Sequence, residues 1–185
     1  MRFGLDFGTS NSALAVADGG APRVLPLDPL AGETMPTILY VRRDGSPLVG
    51  RPAIEAYLAD ERARGPVRRR VKLIGVRMAS SDPEQPTVEA HILADVDAPG
   101  RLFQSLKSFL GSPLDSPTSV FGTPMTLTAL VAVILEHVRR RAVELTGEAP
   151  GEIGIGRPVE FVGGPSAEAL ALSRLEEAAR LAGFR

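Results

Sequence analysis

The first seventeen residues predict two β-strands joined by a short polar turn, and this hairpin is the strongest constraint on the fold. Phe3, Leu5 and Phe7 alternate with smaller or polar residues, which is the period of a half-buried strand. Gly8 and the small hydroxyl and amide residues at 9–11 are typical of a turn. A second β-like run follows at 13–17. The chain therefore begins as strand, polar turn and strand.

The turn carries chemistry that suits an anion. The backbone N–H groups and side chains of Gly8, Thr9, Ser10 and Asn11 can form a concave anion site. Asp6 is predicted to face away from Phe7 beside this turn, and a carboxylate next to phosphates can hold a hydrated Mg²⁺. The spacing alone fits equally well an ordinary hairpin that contains an aspartate.

Three other phosphate-binding motifs do not fit this sequence. Asp6-Phe7-Gly8 matches the magnesium triplet of protein kinases, but that triplet needs a Gly-rich loop and a strand lysine upstream. A dinucleotide fingerprint needs a glycine turn that opens into a helix, whereas this turn opens into a strand. The sequence contains no Gly-x-x-x-x-Gly-Lys-Ser/Thr loop, which excludes a P-loop NTPase.

Residues 4–12 resemble the first phosphate loop of the actin-like ATPase superfamily, in particular that of the seventy-kilodalton heat-shock (DnaK-type) chaperones. Further segments resemble the same family at 35–40, 48–50, 103–111 and 155–161. Together they cover most of the chain outside about 53–100. The forms of 107–111 and 156–158 resemble a short DnaK-like subgroup that has the ATPase domain and no evident substrate-binding domain.

The resemblance implies ATP/ADP as ligand with Mg²⁺, and hydrolysis of ATP by the complete protein. It implies phosphate contacts from residues of the turn: Gly8, Thr9, Ser10 and Asn11. It gives Asp6 the magnesium site, through water, and gives Lys107 the role of neutralising the γ-phosphate and orienting the attacking water. Lys72 is a rival to Lys107, because Lys72-Leu-Ile-Gly75 is a shorter version of the same segment. A surface lysine in a loop is the alternative for Lys107.

Pro158 resembles a proline at which the family couples nucleotide state to movement of the lobes, although a simple strand terminator explains it equally well. The family has an arginine on the helix that follows, but Arg174 falls out of register with it. The sequence therefore gives no support for coupling to a peptide-binding domain, and a co-chaperone or a peptide client is an expectation from the resemblance alone.

The expected fold class is α/β: a ribonuclease-H-like mixed sheet with helices. Residues 1–32 and 123–185 are predicted to form this core subdomain, and 33–122 a smaller inserted subdomain that carries the lysine segment. A second Gly-rich phosphate loop and an adenosine pocket have no counterpart in the sequence. The resemblance thus implies one lobe of a two-lobed clasp, without the second ATPase lobe. We expect such a lobe to be inactive alone and to self-associate.

Periodicity predicts the longest helix at 124–146, with Thr123 as N-cap, Pro124 as first residue and Gly147 at the end. His137 lies on this helix beside its apolar stripe and is interpreted as structural. The prolines of 80–100 predict loop or irregular strand. The arginine-rich stretch at 62–77 lacks interleaved aromatic residues and predicts a solvated face of the inserted segment.

The composition argues against several classes of protein. A net charge of −1 argues against a dedicated nucleic-acid binder. The sequence has no cysteine and two histidines, which argues against disulfides and against thiolate or histidine metal clusters. We expect no membrane partner, because no apolar run is long enough to cross a bilayer. No signal peptide is recognised, so a cytoplasmic location is expected.

Two rival functions remain at the level of the sequence. One is a metabolite (sugar-type) kinase of the same superfamily, which would need an acidic base in a later segment. The other is a non-catalytic actin-like scaffold module, which would polymerise and would lack the chaperone-type lysine. The lysine segment at 103–111 favours the chaperone-type ATPase over both.

Overall fold

The computed structural model of the chain describes residues 1–28, 32–79, 87–113, 116–156 and 164–184. The strands and helices in these residues are, in chain order, β1 (Arg2–Phe7), β2 (Asn11–Ala17), β3 (Arg23–Leu25), β4 (Thr34–Pro36), β5 (Ile38–Arg42), β6 (Pro47–Val49), α1 (Arg51–Ala63), β7 (Arg69–Ala79), β8 (Thr87–Asp95), β9 (Gly100–Gln104), β10 (Thr118–Val120), β11 (Thr123–Met125), α2 (Leu127–Thr146), β12 (Ile153–Gly156) and α3 (Gly164–Leu181). A 3₁₀ turn, Leu106–Phe109, lies between β9 and β10.

The main sheet has five strands and is mixed. Its order is β12-β1-β2-β3, and β4 pairs with the start of β2. β1 and β2 are antiparallel, with Phe3 opposite Val16, whereas β1 and β12 are parallel, with Phe3 opposite Ile153. The predicted α/β class with a mixed sheet is therefore confirmed.

One face of this sheet carries the core. Along β1, Phe3, Leu5 and Phe7 are buried while the residues between them are exposed, as the alternation predicts. The buried stripe of α2 and the buried side of α3 complete the same core. Burying these apolar side chains is the main stabilising contribution to the fold.

A smaller three-stranded sheet, in the order β6-β5-β9, stands beside the main one, and α1 packs on it. Two of its side chains, Leu39 and Phe103, belong to the same hydrophobic core as Phe7 and Leu135. β4 falls within the segment predicted as inserted, yet it hydrogen-bonds to β2 of the main sheet. The main and smaller sheets thus share one core.

The start of α2 was predicted wrongly. Thr123 and Pro124 do not begin the helix: they lie in β11, which pairs with β10 through the turn at Phe121 and Gly122, where both φ angles are positive. The N-cap is Thr126, whose side chain accepts a hydrogen bond from the N–H of Ala129. The end of the helix is as predicted, because Gly147 adopts a left-handed conformation there.

Of the stretch 80–100, predicted as loop or irregular strand, residues 80–86 lie outside the described residues. Residues 87–95 form β8, which pairs with β7 in a two-stranded ribbon whose register shifts between Leu73 and Arg77, so the prediction of an irregular strand fits this part. The ribbon's base is tied by ion pairs: Arg64 binds Glu61 and Asp95, and Arg68 binds Asp97. Some arginines of the basic stretch are therefore engaged in structural contacts.

No helix among the described residues is both long and apolar enough to span a bilayer.

Candidate functional site

The loop between β1 and β2 is a tight turn that only glycine can begin. A Cβ atom placed on Gly8 would lie 2.2 Å from the carbonyl oxygen of Asn11, far inside van der Waals contact. Phe7 is fully buried just before the loop, whereas Thr9, Ser10 and Asn11 are exposed. The core therefore anchors the loop while its polar groups face outward.

The far side of the loop is held by Thr37. Its backbone N–H donates to the carbonyl of Ser10 at 2.8 Å. Its hydroxyl forms a 2.8 Å hydrogen bond with the hydroxyl of Ser12, and both side chains are buried. Asn11 lies opposite Pro36 in the β2–β4 pairing. The segment 35–37 thus supports the loop from behind.

Asp6 lies at the carboxyl end of β1, on its exposed face. Its neighbours across the sheet are Ala13 on β2 and Gly156 on β12. Both neighbours are small, so the space around the carboxylate at this end of the sheet is open to solvent. Its exposure next to the buried Phe7 agrees with the sequence prediction that it faces away from Phe7.

Lys107 comes to this loop from the 3₁₀ turn. Its ammonium donates to the carbonyl oxygen of Phe7, 100 residues earlier in the chain. Burial lowers the pKa of Lys107, and the nearby Asp6 carboxylate partly opposes that effect. Ser105 precedes the turn with a left-handed φ of 57°, an uncommon conformation for a residue other than glycine. The fold therefore brings Lys107, Asp6 and the loop together.

Two further residues named from the sequence, Lys72 and His137, lie on other elements of the fold. Lys72 belongs to β7, whose strand partner is β8 and not the main sheet. Pro158 falls outside the described residues, which resume at Gly164 after β12 ends at Gly156. His137 is half-buried on α2, where burial and the adjacent Arg140 and Arg141 lower its pKa to about 4.

Sequence reasoning missed two supporting contacts. The Ser12–Thr37 pair joins residues 25 positions apart, and only the resemblance at 35–40 pointed toward that segment. Arg174 was considered and set aside because it is out of register, yet its guanidinium is buried against the carbonyls of Leu110 and Ser112. Neither contact has a local sequence signal, because each depends on how distant elements pack.

The architecture defines an α/β protein with a mixed sheet whose glycine-begun loop faces a lysine and an aspartate. Over 53 residues the chain is 43% identical to the chaperone protein DnaK of Cenarchaeum symbiosum (strain A). It is also 43% identical over 53 residues to the chaperone protein DnaK of Nitrosopumilus maritimus (strain SCM1). The matched stretch covers 27% of this chain and only 8% of each relative. No protein-family model matches the chain.

Proposed function

We propose that this chain is the N-terminal half of the nucleotide-binding (ATPase) domain of a DnaK-like molecular chaperone, with a ribonuclease-H-like core. The observation that carries the proposal is the contact between Lys107 and the carbonyl of Phe7. It puts a cation at the entrance of a glycine-begun polar loop and within electrostatic range of Asp6. The partial similarity to two DnaK chaperones supports the same assignment.

In this proposal the loop binds nucleotide phosphates. The backbone N–H groups of 8–11 and the hydroxyls of Thr9 and Ser10 donate hydrogen bonds to phosphate oxygens. The exposure of Thr9, Ser10 and Asn11 supports this role, because no other part of the described chain covers them. The absent Cβ at Gly8 supports it too, since any side chain there would force the turn open.

Asp6 would hold Mg²⁺ through water, and its exposed carboxylate beside two small residues leaves room for a hydrated ion. Bound Mg·ATP supplies the phosphoryl group and a divalent charge. Lys107 adds positive charge on the phosphate side and orients a water molecule. Such catalysis rests mainly on positioning and on neutralising charge.

The rest of the assignment follows from the resemblance. Residues 1–32 and 123–185 would form the core subdomain, with 33–122 inserted, and a second lobe would supply the adenosine contacts. Pro158 would couple nucleotide state to lobe movement. The chain alone would then be inactive and prone to self-association, and the complete protein would be cytoplasmic and would act with a co-chaperone or a peptide client.

The test is an NMR titration of the ¹⁵N-labelled chain with Mg·ATP. We expect the amide signals of 8–11 to move, with a dissociation constant no tighter than roughly millimolar, because the second lobe contributes no contacts. Mg·AMP is the matched control, since it lacks the β- and γ-phosphates and should leave the loop signals in place. Shifts absent from the loop, or equal for both nucleotides, would overturn the proposal.

A further inference from the structure

We propose that Arg174, on α3, is a positioning residue for Lys107: it holds the end of the lysine segment against α3 so that the ammonium stays on the phosphate loop. The inference rests on the function proposed above for that loop. It concerns a residue that lies outside the loop and outside every segment on which the family resemblance was recognised.

Arg174 grips the backbone just after the 3₁₀ turn. One nitrogen, Nη1, donates to the carbonyl of Leu110 at 2.8 Å and to the carbonyl of Ser112 at 2.7 Å. The residue is only 8% exposed. Hydrogen bonds from a charged donor in such a setting are stronger than neutral ones, because the surroundings screen them weakly. The two carbonyls belong to the residues on either side of Gly111, so Arg174 holds the backbone at both ends of this short turn. We call these two hydrogen bonds the Arg174 clamp.

A second contact of α3 fixes the same turn. A Cβ on Gly111 would come within 2.9 Å of the carbonyl oxygen of Ala167 and 3.3 Å of its Cβ. Ala167 and Arg174 are seven residues apart, which puts them on the same face of the helix. The glycine permits the close approach, and the arginine then pins the backbone on either side of it.

The clamp is one turn away from the lysine. The N–H of Leu110 donates to the carbonyl of Lys107 at 3.2 Å, and the N–H of Ser108 donates to the carbonyl of Ser105 at 3.0 Å. Leu110 is itself 1% exposed in the core. Because the segment between Lys107 and Arg174's carbonyl partners is short and internally hydrogen-bonded, a shift at the clamp moves the lysine backbone with it.

The position of α3 in the chain links this clamp to the candidate site. α3 follows β12, and the end of β12 lies beside Asp6 in the sheet, with Gly156 opposite that residue. The helix that holds the lysine segment is therefore the next described element of the chain after the strand that ends opposite Asp6. Any displacement of α3 against the sheet would be transmitted by Arg174 to the separation between Lys107 and the loop.

The experiment uses the full 185-residue chain with [ε-¹³C]lysine. Lys72 and Lys107 are the two lysines of the sequence, so the spectrum has one reporter and one internal reference. The pH titration of each Cε signal gives its pKa in the wild type and in Arg174→Lys, Arg174→Met and Arg180→Met. Arg180 is the matched control, because it lies on α3 with its side chain 69% exposed and paired with Glu177.

We expect Arg174→Met to raise the pKa of Lys107, because an ammonium released from the Phe7 carbonyl regains solvent and burial is the larger of its two influences. Arg174→Lys keeps the charge but is more strongly hydrated and shorter, so we expect a smaller rise in the same direction. Arg180→Met should leave Lys107 unchanged, and Lys72 should be unchanged in every variant.

Arg174→Lys tests the positioning role of Arg174 even if Arg174→Met fails to fold. A Lys107 pKa equal to the wild-type value in Arg174→Lys, together with a lower free energy of unfolding, would mean that Arg174 only stabilises the fold, and would overturn the proposal. The measurement needs no nucleotide. A loop that ignores Mg·ATP while Lys107 responds to Arg174 would refute the proposed function alone, and the opposite pair of results would refute the positioning role alone.

Discussion

The hydroxyl oxygens of Ser12 and Thr37 lie 2.8 Å apart in the buried space behind the phosphate-loop candidate. Thr37 has no exposed surface and Ser12 is 1% exposed. A buried hydroxyl needs a partner, since leaving it unpaired costs about 1–3 kcal/mol. This pair therefore fixes where β4 meets β2, and with it the exit of the loop.

Replacing Thr37 by valine should lower the free energy of unfolding by ~1–3 kcal/mol, because the Ser12 hydroxyl loses its partner. Urea denaturation measures the change. The double variant Ser12→Ala with Thr37→Val should be less destabilised than the sum of the single variants, because it leaves no orphaned hydroxyl. Strict additivity would show that the two hydroxyls do not depend on each other.

Gly8→Ala should open the loop. The new methyl group would lie 2.2 Å from the carbonyl oxygen of Asn11, so the turn must rearrange. We expect a loss of ~1–3 kcal/mol in the free energy of unfolding, the usual scale for forced overpacking. We also expect no Mg·ATP shifts at 8–11.

Gly4→Ala is the matched control for that variant, because a Cβ at Gly4, on the strand that precedes the loop, meets no atom within 4 Å. It should keep both the stability and the loop shifts. If Gly8→Ala retained the wild-type response to Mg·ATP, the backbone geometry of the turn would not be what binds phosphate.

Stability should fall with acid because of His137. Its pKa of about 4 in the folded chain is below the ordinary 6.5, so the unfolded chain binds the proton more tightly. The resulting stabilisation is complete above pH 6.5 and is lost as the pH falls from 6.5 toward 4, by up to about 3 kcal/mol. Urea unfolding at a series of pH values measures it.

The histidine responsible can be identified by substitution. His137→Gln should flatten the pH dependence of the unfolding free energy between pH 4 and 6.5, the window set by its two pKa values. An unchanged slope in His137→Gln would assign the acid sensitivity to other groups.

In a longer protein that joins this chain to a second ATPase lobe, Lys107→Ala should leave the fold intact. Steady-state hydrolysis of ATP should fall by roughly 10²–10³, the effect of removing one preorganised charge stabiliser. Lys72→Ala should change the rate little. Reversed results would transfer the catalytic role to Lys72.

Local patterns predicted the parts of the fold that local physics decides. The alternation of β1 identified the buried residues Phe3, Leu5 and Phe7, and the apolar stripe and Gly147 identified α2 and its end. The start of α2 was missed because Thr123 and Thr126 are both good caps. The choice between them depends on the pairing of β10 with β11, which no helical pattern reveals.

The residues of the candidate site were likewise predictable from local sequence only in part. The loop and Asp6 are adjacent in sequence, so their spacing was enough to propose them. The contact between Lys107 and Phe7 spans 100 residues, and only the resemblance gave a reason to select Lys107 over Lys72. The clamp at Arg174 depends on the packing of α3 against the turn at Gly111, which neither periodicity nor motif spacing encodes.

The most direct test of the account compares Mg·ATP affinities of the 185-residue wild type, Lys107→Ala and Lys72→Ala from the loop's NMR shifts. The wild type should bind in the range of roughly millimolar, and Lys107→Ala about tenfold more weakly, the equivalent of 1.4 kcal/mol for a partly exposed charged contact. Lys72→Ala should match the wild type. Equal affinities for wild type and Lys107→Ala, or micromolar binding by the isolated chain, would contradict the assignment of this chain as half of a phosphate site.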